Sequence, residues 1–184
     1  MEIPLLTMTQ DASVGADARR LAEETFGLIY WANTQLGDIA DLMYEEHPWF
    51  LVFQQRLFQC GHDIHLATAN ITAKDVSAMR SIRHHYEQSI SSLHNFILPG
   101  GVRTATRLQE AAAILMQSRR LFARLSRLIP VNGHIAEFLD EASSVCFCVA
   151  RVLNYQAGYH EIPWDSDAQW PSVEKLIQTT NTNT

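Results

Sequence analysis

The chain alternates long stretches in which apolar residues return every three or four positions with short breaks rich in Pro, Gly, Asn and Ser. From Ala16 to about Glu45, residues Leu21, Leu28, Ile29, Ala32, Leu36, Ile39 and Met43 keep the helical period and predict one long amphipathic helix. His47-Pro48 breaks this run. Proline lacks the backbone donor and restricts the residue before it, yet it suits the first turn of a new helix. Phe50, Phe53, Leu57, Cys60, Ile64 and Ala67 carry a second helix to about Ala69. Thr72, with Asp75 placed to meet the positive end of the helix dipole, predicts the start of a third. Its stripe is Val76, Met79, Ile82, Tyr86, Ile90 and Leu93. After Pro99-Gly100-Gly101, Leu108, Ala111, Leu115, Ser118, Phe122 and Leu125 mark a fourth helix that Pro130 ends. Asn132 is placed to cap a fifth, carrying Ile135, Leu139, Ala142, Val145, Val149 and Val152 up to Gly158. Beyond Pro163 only Val173, Leu176 and Ile177 offer anchors, which predicts no more than a short helix with a frayed end.

Short connections between long helices favour antiparallel neighbours, so the expected fold is all-α, a five-helix up-and-down antiparallel bundle. No stretch alternates with the period of a strand. The expected organisation is a flexible N-terminus over 1–15, a helical bundle domain over 16–160 and a partly disordered C-terminal tail over 161–184.

Composition narrows the function classes. With 184 residues, 47% of them hydrophobic, the chain suits one domain with a sizeable core. A formal net charge of -6 argues against a nucleic-acid partner, because phosphate binding needs clustered Lys and Arg. No apolar run approaches the roughly 20 residues that span a bilayer. The N-terminal MEIPLLTMTQ also lacks the basic start and apolar core of a secretory signal, so no membrane and a cytoplasmic location are expected. Cys60, Cys146 and Cys148 have neither disulfide-framework nor C-x-x-C spacing and are expected as buried, reduced thiols.

Catalytic signatures are sparse. No histidine is preceded three residues earlier by Glu, so the Glu-x-x-His pairs of di-iron bundles are absent. The C-G-H-D-I-H run places His62 and His65 beside Cys60 and Asp63 but offers no third ligand in a fixed register, and no metal is expected there. The phosphate-loop, dinucleotide, nucleophile-elbow and zinc-protease motifs are all missing.

One short stretch carries more. In N-F-I-L-P-G-G, residues 95–101, three large apolar side chains precede a turn that needs only its Pro-Gly-Gly. The run F-I-L-P-G-G between two helices of such a bundle resembles the signature of the PduO-type ATP:corrinoid adenosyltransferases. Further segments match in the same order. Phe26-Gly27 through Asn33 to Gly37 resembles the family's first-helix motif, and L-F-Q-C-G-H-D-I at 57–64 resembles its second. I-T-A-K-D-V at 71–76 and V-A-R-V-L-N at 149–154 follow, the latter placing Arg151 and Asn154 on family positions along with Asn33. The resemblance implies a homotrimer in which ATP and the corrinoid, cobalamin or a relative, meet between subunits. In the family's reaction a Co(I) corrinoid attacks the ribose C5′ of ATP and expels triphosphate. The resemblance assigns the corrinoid to Phe96, Ile97, Leu98, Pro99, Gly100 and Gly101, with Phe96 pressing on the lower axial face so that the lower ligand is lost.

The chain also departs from the family pattern. The family's N-terminal phosphate loop is missing from the first 24 residues, its first-helix Asp-Glu pair falls on Tyr30 and Trp31, and its helix-four arginines fall on Ala112, Met116 and Gln117; a register shifted by three puts the double Arg on Arg119-Arg120 but leaves Leu115 and Phe122 in the other two places. Its L-N-R-L-S-D falls on Leu139 to Ser144 with Glu141 in place of Arg. A charge-assisted contact is worth roughly 1.5–3 kcal/mol, and several are missing together. The expectation is therefore a divergent homologue that binds a corrinoid at an apolar subunit-interface site, with ATP and Mg chemistry weakened or lost. Two alternatives stay open: an active adenosyltransferase with a rewired phosphate site, for which Arg103 and Arg107 at a helix start are the candidate phosphate ligands, and a non-enzymatic helical interaction scaffold.

Overall fold

A computed structural model describes residues 12–172. The described chain is helical: α1 (Ala12–Gly37), α2 (Ala40–Glu46), α3 (Trp49–Leu66), α4 (Ala73–Glu87), α5 (Arg103–Leu125) and α6 (His134–Gln156). The expected tail helix around Val173, Leu176 and Ile177 lies outside the described residues. No helix among the described residues is long and apolar enough to cross a membrane.

The predicted first helix is two helices. Leu36, Ile39 and Met43 are all buried, so the apolar spacing holds across the break at Asp38. Gly37 weakens the helix there. The Asp38 carboxylate is drawn sideways to Arg103 and Arg107 of α5, both at 2.8 Å. The third predicted helix also ends early, at Glu87 rather than beyond Leu93. Its continuation Gln88-Ser89-Ile90-Ser91-Ser92 keeps the apolar phase at Ile90 but is rich in serines, whose side chains compete for backbone partners. At its start, the Asp75 carboxylate accepts from the Thr72 N–H and hydroxyl, both at 2.8 Å. Asn132 sets the start of α6, accepting the His134 N–H at 3.1 Å and donating to the Ile71 carbonyl at 2.8 Å.

Packing runs in the order α3, α1, α5, α6, α4. Each internal helix presents apolar residues to both neighbours, and α6 is correspondingly the most deeply buried, with Phe138, Leu139, Val145 and Val149 at 0% exposure. The α1–α3 seam is close: a Cβ on Gly61 would overlap the Phe26 ring. Consecutive in sequence, α4 and α5 both lie against α6. The connection 88–102 therefore has to cross the face of α6, and it carries N-F-I-L-P-G-G with it. All three cysteines are buried thiols, with Cys148 pushed up to about 11 by burial.

Candidate functional site

Beneath that crossing lies an open cleft of about 810 Å³ between α4, α5 and α6. Its apolar wall includes Leu93, Phe96, Ile97, Ala112, Met116 and Phe147, and its polar edge includes Arg83, Gln109 and Arg151. A second cleft of about 710 Å³ shares Leu93, Phe96, Ile97 and Phe147 with the first and extends to Trp164. Phe96 thus lines both cavities.

Phe96 is 78% exposed, so it is no core aromatic. Its backbone is nevertheless fixed. Residues 96–98 pair in antiparallel fashion with 162–164: the Leu98 N–H donates to the Ile162 carbonyl at 2.8 Å, and the Trp164 N–H donates to the Phe96 carbonyl at 2.7 Å. The Trp164 ring meets Phe96 edge-on with centroids 6.3 Å apart. The returning strap is itself tied down, because Arg151 clasps Glu161 through Nε at 2.8 Å and Nη2 at 3.0 Å while bonding the Ser91 carbonyl at 3.0 Å.

The Pro-Gly-Gly turn is held from below. Gly100 gives its N–H to Gln109 Oε1 at 2.9 Å, and its carbonyl accepts from Gln109 Nε2 at 3.2 Å and Asn154 Nδ2 at 2.9 Å. Asn154 Oδ1 accepts the Val102 N–H at 3.0 Å. Gly101 has φ +117°, and a Cβ there would overlap the Asn154 carboxamide, so this position requires glycine twice over.

The electrostatics of the cleft are self-contained. Arg83 bonds Glu141 at 2.9 Å and Glu87 at 2.8 Å, while Arg80 reaches the same Glu141 at 2.8 Å. These hydrogen bonds donated to carboxylates, that to Glu87 foremost, hold the Arg83 guanidinium above its ordinary pKa. Both arginines that line the cleft, Arg83 and Arg151, therefore face carboxylates of the same chain.

Of the sequence-predicted residues, Phe96, Ile97, Pro99 and Arg151 line the main cleft, and Gly100, Gly101 and Asn154 support it. Leu98 belongs to the paired edge and is half exposed. Arg103 and Arg107 are not in the cleft wall. Arg103 grips both oxygens of Asp38 at 2.8 Å, and Arg107 bonds Asp38, Gln35 and Glu110. The hydrogen bonds from Arg103 and Arg107 lower the Asp38 pKa, and the trio closes the end of α1 against the start of α5. Asn33 is remote too, exchanging hydrogen bonds with Gln54 that link α1 to α3. Cys60 and Asp63 turn inward while His62 is exposed, so the C-G-H-D-I-H cluster is split across the helix. Gln109, Phe147 and Trp164 were not singled out from sequence. Only Phe147, a large apolar residue off the stripe of Val145 and Val149, offered a signal in the sequence.

Fold and cleft together define a helical bundle suited to holding a sizeable, largely apolar small molecule at one end. The profile of the Cobalamin adenosyltransferase family matches residues 16–153, and the chain belongs to that family. The corrinoid adenosyltransferase of Bacillus subtilis (strain 168) is 27% identical over 163 residues, covering 83% of this chain and 84% of its own. The cobalamin adenosyltransferase of Cupriavidus metallidurans is 25% identical over 160 residues, covering 85% and 86%. Among solved structures, a variant PduO-type ATP:corrinoid adenosyltransferase from Lactobacillus reuteri complexed with cobalamin and ATP superposes with a TM-score of 0.68. It is 22% identical and covers 79% of this chain and 87% of its own, a likeness of fold.

Proposed function

We propose that this chain is a corrinoid-binding member of its family whose site favours the corrinoid over the triphosphate of ATP. The observation that carries the proposal is the contrast within one cleft: a continuous apolar wall on one side, and on the other two arginines already matched by Glu87, Glu141 and Glu161. A planar, largely apolar macrocycle gains from such a wall by leaving water. A triphosphate needs donors and positive charge that are free to meet it. Ala112 and Met116, both lining the cleft, supply neither. Arg103 and Arg107 enter this proposal as the clasp on Asp38 rather than as phosphate ligands. When bound, the corrinoid supplies the nucleophile. The chain's own residues orient it and exclude water, with Phe96 disfavouring the lower axial ligand.

The test is to titrate the purified protein separately with cob(II)alamin and with Mg·ATP, then to follow adenosylcobalamin formation from reduced cobalamin and ATP. Cobalamin binding with weak or no ATP binding, and turnover well under the ordinary enzymatic range of roughly 1 per second, is the expected result. Binding of both with turnover in that range would instead favour the active enzyme with a rewired phosphate site. Binding of neither would favour the interaction scaffold.

The proposal extends to assembly. Tyr30 is 58% exposed, Trp31 50% and Phe58 49%, and Phe58 sits edge-on to Phe26 of the neighbouring helix at 6.1 Å. These aromatics on α1 and α3 are suited to a subunit contact. A homotrimer is expected by light scattering. A stable monomer at micromolar concentration would count heavily against a site shared between subunits.

A further inference from the structure

The bonds around Gly100 are more numerous than an interhelical turn needs. Asn154 is 1% exposed within the apolar stripe of α6. Burying a carboxamide there is unfavourable unless both its ends are bonded. Both are: one end meets the Gly100 carbonyl and the other the Val102 N–H, so the side chain pairs with the turn as an adjacent strand would. Gln109, one helix over on α5, bonds both the N–H and the carbonyl of Gly100. Two carboxamides from the two internal helices flanking the cleft therefore converge on one peptide.

Resting on the proposal that the cleft takes a corrinoid, we infer that Asn154 and Gln109 are positioning residues, which set the height at which Phe96 enters the cleft. The mechanical link is short. Pro99 has a fixed φ and restricts Leu98 before it, so Gly100 and Phe96 are joined through a segment with little torsional freedom. Beyond that segment, the pairing with 162–164 fixes the other end. Phe96 has no core contact to hold it, being 78% exposed. Its placement is inherited from the turn and the strap. Releasing the turn leaves the aromatic ring in the cleft but no longer at one height.

A purely structural role and a positioning role separate with two probes. Cob(II)alamin carries a lower-ligand base that Phe96 has to displace, whereas cob(II)inamide has none. Asn154→Ala is expected to weaken cob(II)alamin binding about tenfold and to leave the bound cobalt in its base-on absorbance form. Cob(II)inamide affinity should change less than about twofold, on the same free-energy scale. Hydrogen exchange should accelerate at Val102 in the ligand-free protein while the middle of α6 stays protected. Gln109→Ala, at a half-buried position, is the second variant should Asn154→Ala fail to fold. Accelerated exchange with an unchanged cob(II)alamin spectrum and affinity would overturn the positioning role. Unchanged exchange would show that the carboxamides do not hold the turn at all. If the unsubstituted protein binds neither corrinoid, the functional proposal fails and this role with it, and exchange at Val102 still reports the clamp separately.

Discussion

Phe96→Ala is expected to leave the fold intact and to weaken cobalamin binding by roughly 10- to 100-fold, the equivalent of losing one fully used aromatic contact. The two halves of this expectation have separate causes. At 78% exposure the ring contributes little to the core, and among the described residues its ring contact is the edge of Trp164. Exposed substitutions of this kind usually change stability by less than about 0.5 kcal/mol, with the aromatic pair adding about 1.5 kcal/mol at most. The backbone bonds between 96–98 and 162–164 do not involve the side chain and survive it. In the cleft, however, the ring lines both cavities. Removing it widens both and, under the proposed function, takes away the surface that opposes the lower axial ligand. A cobalamin titration followed by absorbance, beside a thermal melt, separates the two halves. Wild-type affinity and an unchanged lower-ligand band would remove Phe96 from the site, and a large drop in melting temperature would show it to be structural.

What the sequence revealed and what it hid divide along chain distance. The helical stripes were legible because burial repeats locally: Leu108, Ala111, Leu115, Phe122 and Leu125 are all at 2% exposure or less. The candidate loop was legible because three large apolar residues before Pro-Gly-Gly serve no turn. The break at Asp38 was not, since Leu36, Ile39 and Met43 keep helical phase across it and its cause, two arginines of α5, lies far along the chain. The strap over Phe96 was hidden for a similar reason, as it depends on backbone pairing with 162–164 and on the Arg151–Glu161 ion pair. Gln109 was hidden differently, and Asn154 was marked only as a family position, with no sign of what it bonds. A polar residue on a helix is ordinarily solvated, and only the packed turn shows that both carboxamides converge on Gly100. The neutralised cleft was half visible: apolar residues at Ala112 and Met116 could be read off, whereas the pairing of Arg83 with Glu141 required α4 to lie beside α6.

The same limit applies to Asp63, where the second large effect is expected. Read as one member of a polar cluster, it is 1% exposed at the end of α3 and organises the whole 67–71 connection. Its carboxylate accepts from Gln59 at 2.9 Å, the Thr68 hydroxyl at 2.7 Å, the Asn70 N–H and amide at 2.6 and 2.8 Å, and the Ile71 N–H at 2.8 Å. Ala67, forced into the left-handed region at φ 53°, turns the chain back so that these donors can reach it. Asp63→Ala would leave the Ile71 N–H buried and unpaired with its neighbours. Unmet buried donors cost about 1–3 kcal/mol each, so a loss of about 3 kcal/mol and a fall in melting temperature of roughly 6–12 °C are expected. Burial alone would raise the Asp63 pKa, but the hydrogen bonds from Asn70, Thr68, Ile71 and Gln59 outweigh it and the net shift is downward. A carboxylate with a lowered folded pKa contributes stability that is present above its unfolded value, about 3.9, and is lost as pH falls through the folded one. Asp63→Asn, which keeps the shape but turns one acceptor into a donor, should therefore be less stable than the unsubstituted protein at pH 7. The gap should narrow once the pH drops under about 4. Thermal melts of both proteins across pH 3 to 7 measure this, and a gap that stays constant over that range would mean that the ionised carboxylate is not what holds the turn.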